Sequence, residues 1–374
     1  MSTPIEERLL KLLHYRSTGL ERGQSIGLPV THTSAYALPG DPEEGDYFYT
    51  RDGNPTWSAV EAQLAILEDA PVVAFPSGMG AIAAVLYALV RPGQTLLLPS
   101  DGYYVVRAFA AEQLAEYGIK IIEWPTADYA NAPVHDADFV WIETPSNPGL
   151  DVCDIATIAA RARASGAITI ADNTTLTPLL QAPLDLGVDM VASSDTKAMA
   201  GHGDVLFGHV ASRNLDLLGK VRRWRKLSGS IPGPAEAALL HRGLETLEVR
   251  LLRMCDTAGQ LATRIDQHPS VSAARYPGLP DDPSHKLAGE QMRSFGFLIG
   301  FELASKAIAE QFLASCTGIV NATSFGGTHT SAERRARWGD DVAPGYIRLS
   351  VGVEPIEALW SEIKAALDTS SAGT

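Results

Sequence analysis

Lys197 closes the string Ser193-Ser194-Asp195-Thr196-Lys197, so a lysine follows a cluster of hydroxyls and a carboxylate directly after the apolar run 190–192. Four other short apolar runs also end in polar groups. Run 139–142 ends in Glu143 and leads into Thr144-Pro145-Ser146-Asn147-Pro148, and run 168–171 ends in Asp172 and Asn173. Run 71–75 opens into Pro76-Ser77-Gly78-Met79-Gly80 and an alanine-rich helix, whose first N–H groups suit a phosphate. Run 95–98 leads into Asp101-Gly102-Tyr103-Tyr104. In open α/β sheets such strand ends border the ligand crevice. A lysine, two carboxylates, an asparagine, a ring and a phosphate cradle are what pyridoxal 5′-phosphate (PLP) chemistry asks for. That chemistry needs a lysine to bond the aldehyde, an acid for the pyridinium nitrogen, phosphate donors and a stacking ring. The inventory suits PLP without being unique to it.

The elements that must position these groups follow from size and pattern. At 374 residues, 45% hydrophobic and 20% charged, the chain exceeds one average domain and can bury a sizeable core. A net charge of -14 argues against non-specific binding to nucleic acid or anionic lipid and favours a protein that handles small molecules. The longest apolar run, 81–90, has the length of a core helix and falls short of the ~20 residues of a membrane span. Residues 1–15 mix charges with leucines and lack a signal-peptide core, so a cytoplasmic location is expected. Cys153, Cys255 and Cys316 form no CxxC pair, read as idle thiols in a reducing compartment, and offer no metal-ligand spacing.

Residues 1–45 read as a short helix at 5–13 and an irregular arm. Over 46–235, strand, loop and helix repeat, with helices at 108–117 and 155–165, which argues for a mostly parallel sheet covered on both faces. Residues 236–374 change to α+β: a long helical stretch at 235–268, strands at 294–303 and 345–351, and helices at 305–315 and 355–367. The expected fold class is α/β, a large sheet domain followed by a smaller α+β C-terminal domain.

The chain resembles the Cys/Met-metabolism family of PLP enzymes, the group of cystathionine γ-synthase, cystathionine γ- and β-lyases and methionine γ-lyase. The likeness runs from Pro29-Val30-Thr31-His32-Thr33-Ser34 to Arg348-Leu349-Ser350-Val351-Gly352-Val353-Glu354. Its most specific piece is Ser194-Asp195-Thr196-Lys197 followed by Gly201-His202-Gly203-Asp204. The resemblance implies the aspartate-aminotransferase-like fold type I and a role for each matching residue. Lys197 would bond the cofactor and, once released by substrate, move protons between substrate carbons. Asp172 would pair with the pyridinium nitrogen. Gly78 and Met79 would offer N–H groups to the phosphate, and Ser194 and Thr196 their hydroxyls. Tyr49 and Arg51 would reach the phosphate of a neighbouring subunit, so that a homodimer or homotetramer shares its active sites. Asn147 would hold the 3′-oxygen side of the cofactor. Arg348, helped by Ser324, would grip the α-carboxylate of an amino-acid substrate as a fork. Tyr103 would stack on the cofactor and serve proton transfer at the leaving group.

The implied activity is a γ-lyase (α,γ-elimination) most like cystathionine γ-lyase. Alternatives are elimination or replacement on an oxygen-linked homoserine derivative such as O-acylhomoserine or canavanine, a γ-synthase or sulfhydrylase, and a β-lyase. The sequence departs from the family at three places. The usual Tyr-Gly-Gly-Thr is Tyr103-Tyr104-Val105-Val106, which makes Tyr104 a second candidate for the ring. The loop lacks the cysteine of methionine γ-lyases. Thr323 stands before Ser324, where typical cystathionine γ-lyases carry Glu.

Other polar features read more plainly. Glu143 either joins the cofactor network or buttresses its loop. Gly201-His202-Gly203 lacks the spacing of a dinucleotide fingerprint. The runs Arg222-Arg223-Trp224-Arg225-Lys226 and Glu333-Arg334-Arg335-Ala336-Arg337 read as solvated faces or subunit contacts.

Overall fold

Four- and five-residue apolar runs form the strands of a seven-stranded sheet in the computed structural model, which describes residues 3–41 and 44–371. The strands are β1 (Val72–Phe75), β2 (Thr95–Pro99), β3 (Lys120–Trp124), β4 (Phe139–Glu143), β5 (Ile168–Asp172), β6 (Met190–Ser193) and β7 (Gly208–Ala211). Their order is β1-β7-β6-β5-β4-β2-β3. β2 to β6 run parallel to their neighbours within that group, and β7 is antiparallel to both β1 and β6. Such strands need cover on two faces, which is why they are apolar at consecutive rather than alternate positions. Along β1, Val73 and Phe75 pack towards helices Gly78–Leu89 and Leu215–Ser228, while Val72 and Ala74 pack towards helix Pro55–Glu68. The edge strand β3 carries the exposed Lys120 and Glu123, charges that discourage pairing with another chain.

A second, five-stranded sheet consists of β8 (Val271–Arg275), β9 (Leu298–Leu303), β10 (Val320–Asn321), β11 (Ser331–Arg334) and β12 (Tyr346–Ser350), ordered β10-β11-β12-β9-β8. Its central strand reaches back to the first sheet. The Tyr346 hydroxyl donates to Pro148 O at 2.8 Å, in the loop after β4. Gly300 on β9 makes room for this ring, since a Cβ there would overlap the Tyr346 hydroxyl.

The structure corrects several sequence expectations. The stretch 235–268 is two helices, Pro234–Leu244 and Leu247–Asp266. A Cβ at Gly243 would lie 2.5 Å from Ala200 O, so the chain turns where a backbone must approach closely. Arg250, just past the break, donates to Gly243 O (2.7 Å), Ala198 O (2.7 Å) and Met199 O (3.1 Å). The helix interruption thereby ties down the turn that follows Lys197. The expected helix at 108–117 begins earlier and changes pitch, with Tyr104–Phe109 α-helical, Ala110–Leu114 a π-turn and Ala115–Tyr117 a 3-10 turn. The strand expected at 294–303 shortens to β9 because Gly296 adopts φ +85°, outside extended geometry.

The basic run at 222–226 is helical but only partly solvated. Arg225 shares the face of Leu218 and Val221 and is 3% exposed. Its guanidinium donates to Glu61 Oε1 (2.5 Å) and Ala74 O (3.0 Å) and lies over the Trp57 ring. Asp195, two residues before Lys197, is fully buried against His209 Nδ1 at 2.8 Å, and Glu68 faces the other ring nitrogen at 3.1 Å. Burial alone would lower the His209 pKa, but these two carboxylates push it up to about 10, so the imidazole is charged.

Candidate active site

The carboxyl ends of β1, β2, β4, β5 and β6 and one edge of the second sheet enclose a cavity of about 330 Å³. From the first sheet come Gly78 and Met79, Tyr103, Asn147, Asp172, and the trio Ser194, Thr196 and Lys197. The second sheet and its loops add Ser324, Phe325 and Arg348. Ten of the twelve residues singled out from sequence therefore line one cavity. Tyr49 and Arg51 do not. Tyr49 is 42% exposed, bridged to Ala35 of the arm, with the exposed Arg51 guanidinium 5.2 Å from its ring centre.

At the β1 end, Ser77 caps helix Gly78–Leu89 through Gly80 N at 3.0 Å. A Cβ on Gly78 would sit 2.5 Å from Ser194 Cβ, and one on Gly208 would sit 2.5 Å from Ser77 O. Only glycine at both positions lets the helix N-terminus press against the β6 exit loop. The result is a concave patch of backbone N–H groups and hydroxyls, suited to a phosphate. The Thr196 hydroxyl is engaged with the Phe207 backbone, donating to O at 3.2 Å and accepting from N at 3.0 Å.

Opposite this patch, Glu143 and Asp172 are register partners on β4 and β5. Asp172 Oδ1 accepts from Thr174 N at 3.0 Å, the turn-cap contact that any aspartate there could make, and its carboxylate also faces Lys197. Glu143 Oε2 accepts from Tyr103 N at 2.7 Å and so buttresses the Tyr103 loop. Burial raises both carboxyls, and the neighbouring Asp172 drives Glu143 further up. Hydrogen bonds from Thr174 and the Lys197 charge hold the rise of Asp172 back.

Lys197 Nζ lies 2.8 Å from Ser324 Oγ and over the Phe325 ring. Burial, then the nearby Arg348 charge, lowers its pKa to about 8. Ser324 adopts φ +81°, a conformation that costs a non-glycine residue about 1–3 kcal/mol. The hydroxyl contact with Lys197 and a 3.0 Å bond from Arg348 Nη2 to Ser324 O hold it there. Burial pushes the Tyr103 hydroxyl above its usual range, so at neutral pH it keeps a proton it can donate.

Arg348, on β12, is buried and lines the cavity. It is 3% exposed, and its Nη1 donates to Asn147 Oδ1 at 2.5 Å. Its Nη2 donates to Glu333 Oε1 at 2.6 Å, because register sets Glu333 of β11 directly opposite it. Residues 333–335 are thus no solvated face. Glu333, Arg334 and Arg335 are buried. Glu333 also accepts from Arg335 Nη1 (2.7 Å), Arg337 Nη2 (3.1 Å) and Trp338 Nε1 (2.8 Å). Arg335 is in turn held by Asp340 at 2.8 Å. Sequence reading missed Glu333, Arg335 and Trp338 as parts of the site. Their one signal was a lone glutamate in an arginine-rich run, which announces pairing but not the partner.

This donor set fits PLP. Around one cavity it sets a cradle of N–H groups and hydroxyls, a buried carboxylate, a lysine of depressed pKa and a tyrosine ring. A family profile described as "Cys/Met metabolism PLP-dependent enzyme" matches residues 11–368. The chain is 48% identical to a Streptomyces coelicolor protein named "Putative cystathionine gamma-lyase", over 89% of this chain and 86% of that one. It is 35% identical to the L-methionine gamma-lyase of Pseudomonas deceptionensis, over 96% of both chains. The crystal structure of cystathionine gamma-lyase from Lactobacillus plantarum complexed with L-serine superposes with a TM-score of 0.92 at 32% identity, covering 97% of this chain and 99% of that one. The two-sheet architecture is that of fold type I PLP enzymes, and the chain belongs to the Cys/Met metabolism PLP-dependent family. No described helix is long and apolar enough to cross a membrane.

Proposed function

We propose that this chain catalyses α,γ-elimination on a γ-substituted 2-amino acid, releasing a 2-oxo acid and ammonia. The observation that carries the reading is the meeting of Lys197, Asp172 and Arg348, drawn from both sheets, in one cavity. The N–H groups of Gly78 and Met79, with the Ser194 and Thr196 hydroxyls, would hold the cofactor phosphate. Asp172 would pair with the ring nitrogen, and Asn147 would lie beside the 3′-oxygen. When bound, PLP supplies an electron sink for negative charge developing at the substrate Cα. Arg348 orients the substrate through its α-carboxylate. Lys197 Nζ, in its neutral form, takes the Cα proton and moves protons along the substrate. The Tyr103 hydroxyl delivers a proton to the departing γ-heteroatom.

A direct test offers cystathionine, methionine, O-acetylhomoserine and canavanine to the PLP-loaded protein and measures 2-oxo acid and ammonia. The expected result is 2-oxobutanoate with ammonia from at least one compound. Pyruvate from cystathionine would replace this reading with β-elimination, and turnover that requires an added thiol would replace it with γ-replacement.

The reading extends to assembly. Tyr49 and Arg51 lie outside their own chain's cavity and would complete the phosphate site of a neighbouring copy. Arg51→Ala is expected to weaken PLP binding at least about tenfold, the worth of one charge-assisted hydrogen bond, while sedimentation still reports an oligomer. A monomeric protein with full PLP affinity would refute the shared site.

A further inference from the structure

Two aromatic rings that the reaction does not use stand at the mouth of the cavity, one from each sheet. Tyr104 begins the helix after β2, and Trp338 ends the 3-10 turn after β11. Their rings stack at 6.3 Å with an interplanar angle of 14°, bridging the cleft. Both line the cavity, yet Tyr104 is 37% and Trp338 43% exposed. Exposed stacked rings beside a binding cavity present apolar surface that an occupant could cover. Trp338 is held in place by its Nε1 bond to Glu333, the same carboxylate that anchors Arg348.

The charges around this wall are already committed. Asp172 and Lys197 face the cofactor position, and Glu143 is occupied by the Tyr103 loop. Arg335, which also borders the cavity, spends its guanidinium on Glu333 and Asp340. In the surrounding cluster the guanidinium groups of Arg335, Arg337 and Arg348 outnumber the carboxylates of Glu333 and Asp340 by one. An α-carboxylate on Arg348 balances that excess. A cation at the substrate's far end would find no uncommitted carboxylate on this chain's wall, and an anion would find only guanidinium groups already paired with Glu333 and Asp340, so either would give up hydration there. Arg337 also lies over the Trp338 ring at 5.4 Å, which disfavours a second cation beside it.

We propose that Tyr104 and Trp338 form the specificity wall for the substrate's distal side chain and select an uncharged γ-substituent, such as an alkyl thioether or an O-acyl group, over one that ends in a charge. This inference rests on the reading of the cavity as an amino-acid site. It is tested by binding rather than turnover, with amino acids that carry no γ-leaving group. Calorimetric titration of the PLP-loaded protein would compare 2-aminobutanoate, norleucine, 2-aminoadipate and lysine. Norleucine should bind about tenfold more tightly than 2-aminobutanoate, the gain from burying two more methylenes. The two charged amino acids should bind less tightly than norleucine. Tyr104→Ala, and Trp338→Phe with Trp338→Ala, should progressively erase the norleucine advantage. Lysine or 2-aminoadipate binding as tightly as norleucine overturns the proposal, as does a norleucine advantage that survives Tyr104→Ala and Trp338→Ala. Failure of all four to bind would overturn the amino-acid reading itself, whereas 2-aminobutanoate binding without a norleucine advantage would overturn only the wall.

Discussion

Lys197→Ala is expected to lower kcat for 2-oxo acid release on the order of 10⁴-fold, the upper range for removing a positioned general acid–base group. Few neighbours could replace it. Ser324 Oγ, 2.8 Å from Lys197 Nζ, is a hydroxyl of much higher pKa, and Arg348 cannot deprotonate near neutral pH even with its pKa lowered to about 10 by burial. The variant should still fold, because the turn beyond Lys197 is held by Arg250 through backbone carbonyls. It should also lose the visible absorbance of lysine-bound cofactor. A variant that keeps a tenth of wild-type kcat would end the assignment. The pH profile gives an independent check. A base works when deprotonated, and Lys197 titrates at about 8. Activity limited by it should therefore be half-maximal near pH 8, level off above about pH 9 and fall towards tenfold per unit below about pH 7. An ordinary lysine would place that fall near 10. A rate independent of pH between 6 and 8 would count against Lys197 as the base.

Arg348→Ala should lower kcat/KM by about 10²–10³-fold, chiefly through KM, as a charge-assisted fork to the α-carboxylate is lost. The folded state tolerates this change better than its burial suggests. Glu333 keeps Arg335, Arg337 and the Trp338 N–H as donors, so no buried carboxylate is stranded. Saturation kinetics on the preferred substrate would show the split directly. An unchanged KM would place the α-carboxylate elsewhere in the cavity.

Most of the residues that line the cavity were legible in the chain. A short apolar run that ends in a polar residue marks a strand exit, and in an open α/β sheet those exits share one rim. Asp172, Asn147, Ser194, Thr196 and Lys197 could be placed on that rim before any coordinates, and the structure puts them around one cavity. Resemblance added Arg348 and Ser324, which lie far along the chain in a region whose local pattern carries no such cue. Element boundaries were less legible. Nothing in residues 235–268 announces the break at Glu245 and Thr246, which follows Gly243 where the helix packs closely on the distant backbone of Ala200.

The same limit explains the misread charge runs. Arg225 looks like one cation among several until the helix turns it towards Glu61 and Trp57. Glu333 and Arg335 look solvated until β11 pairs with β12 and sets Glu333 against Arg348. By itself, the sequence determined the strand-exit rim, the lysine and acid that face each other across it, and the glycines that allow the anion cradle. These are local properties of hydrophobic runs, turns and backbone freedom. Only the tertiary structure decided which charges are buried together and that Tyr104 meets Trp338 across the cleft. Periodicity specifies the face a side chain occupies, but the strand or helix that arrives opposite it is chosen by the packing of the whole chain.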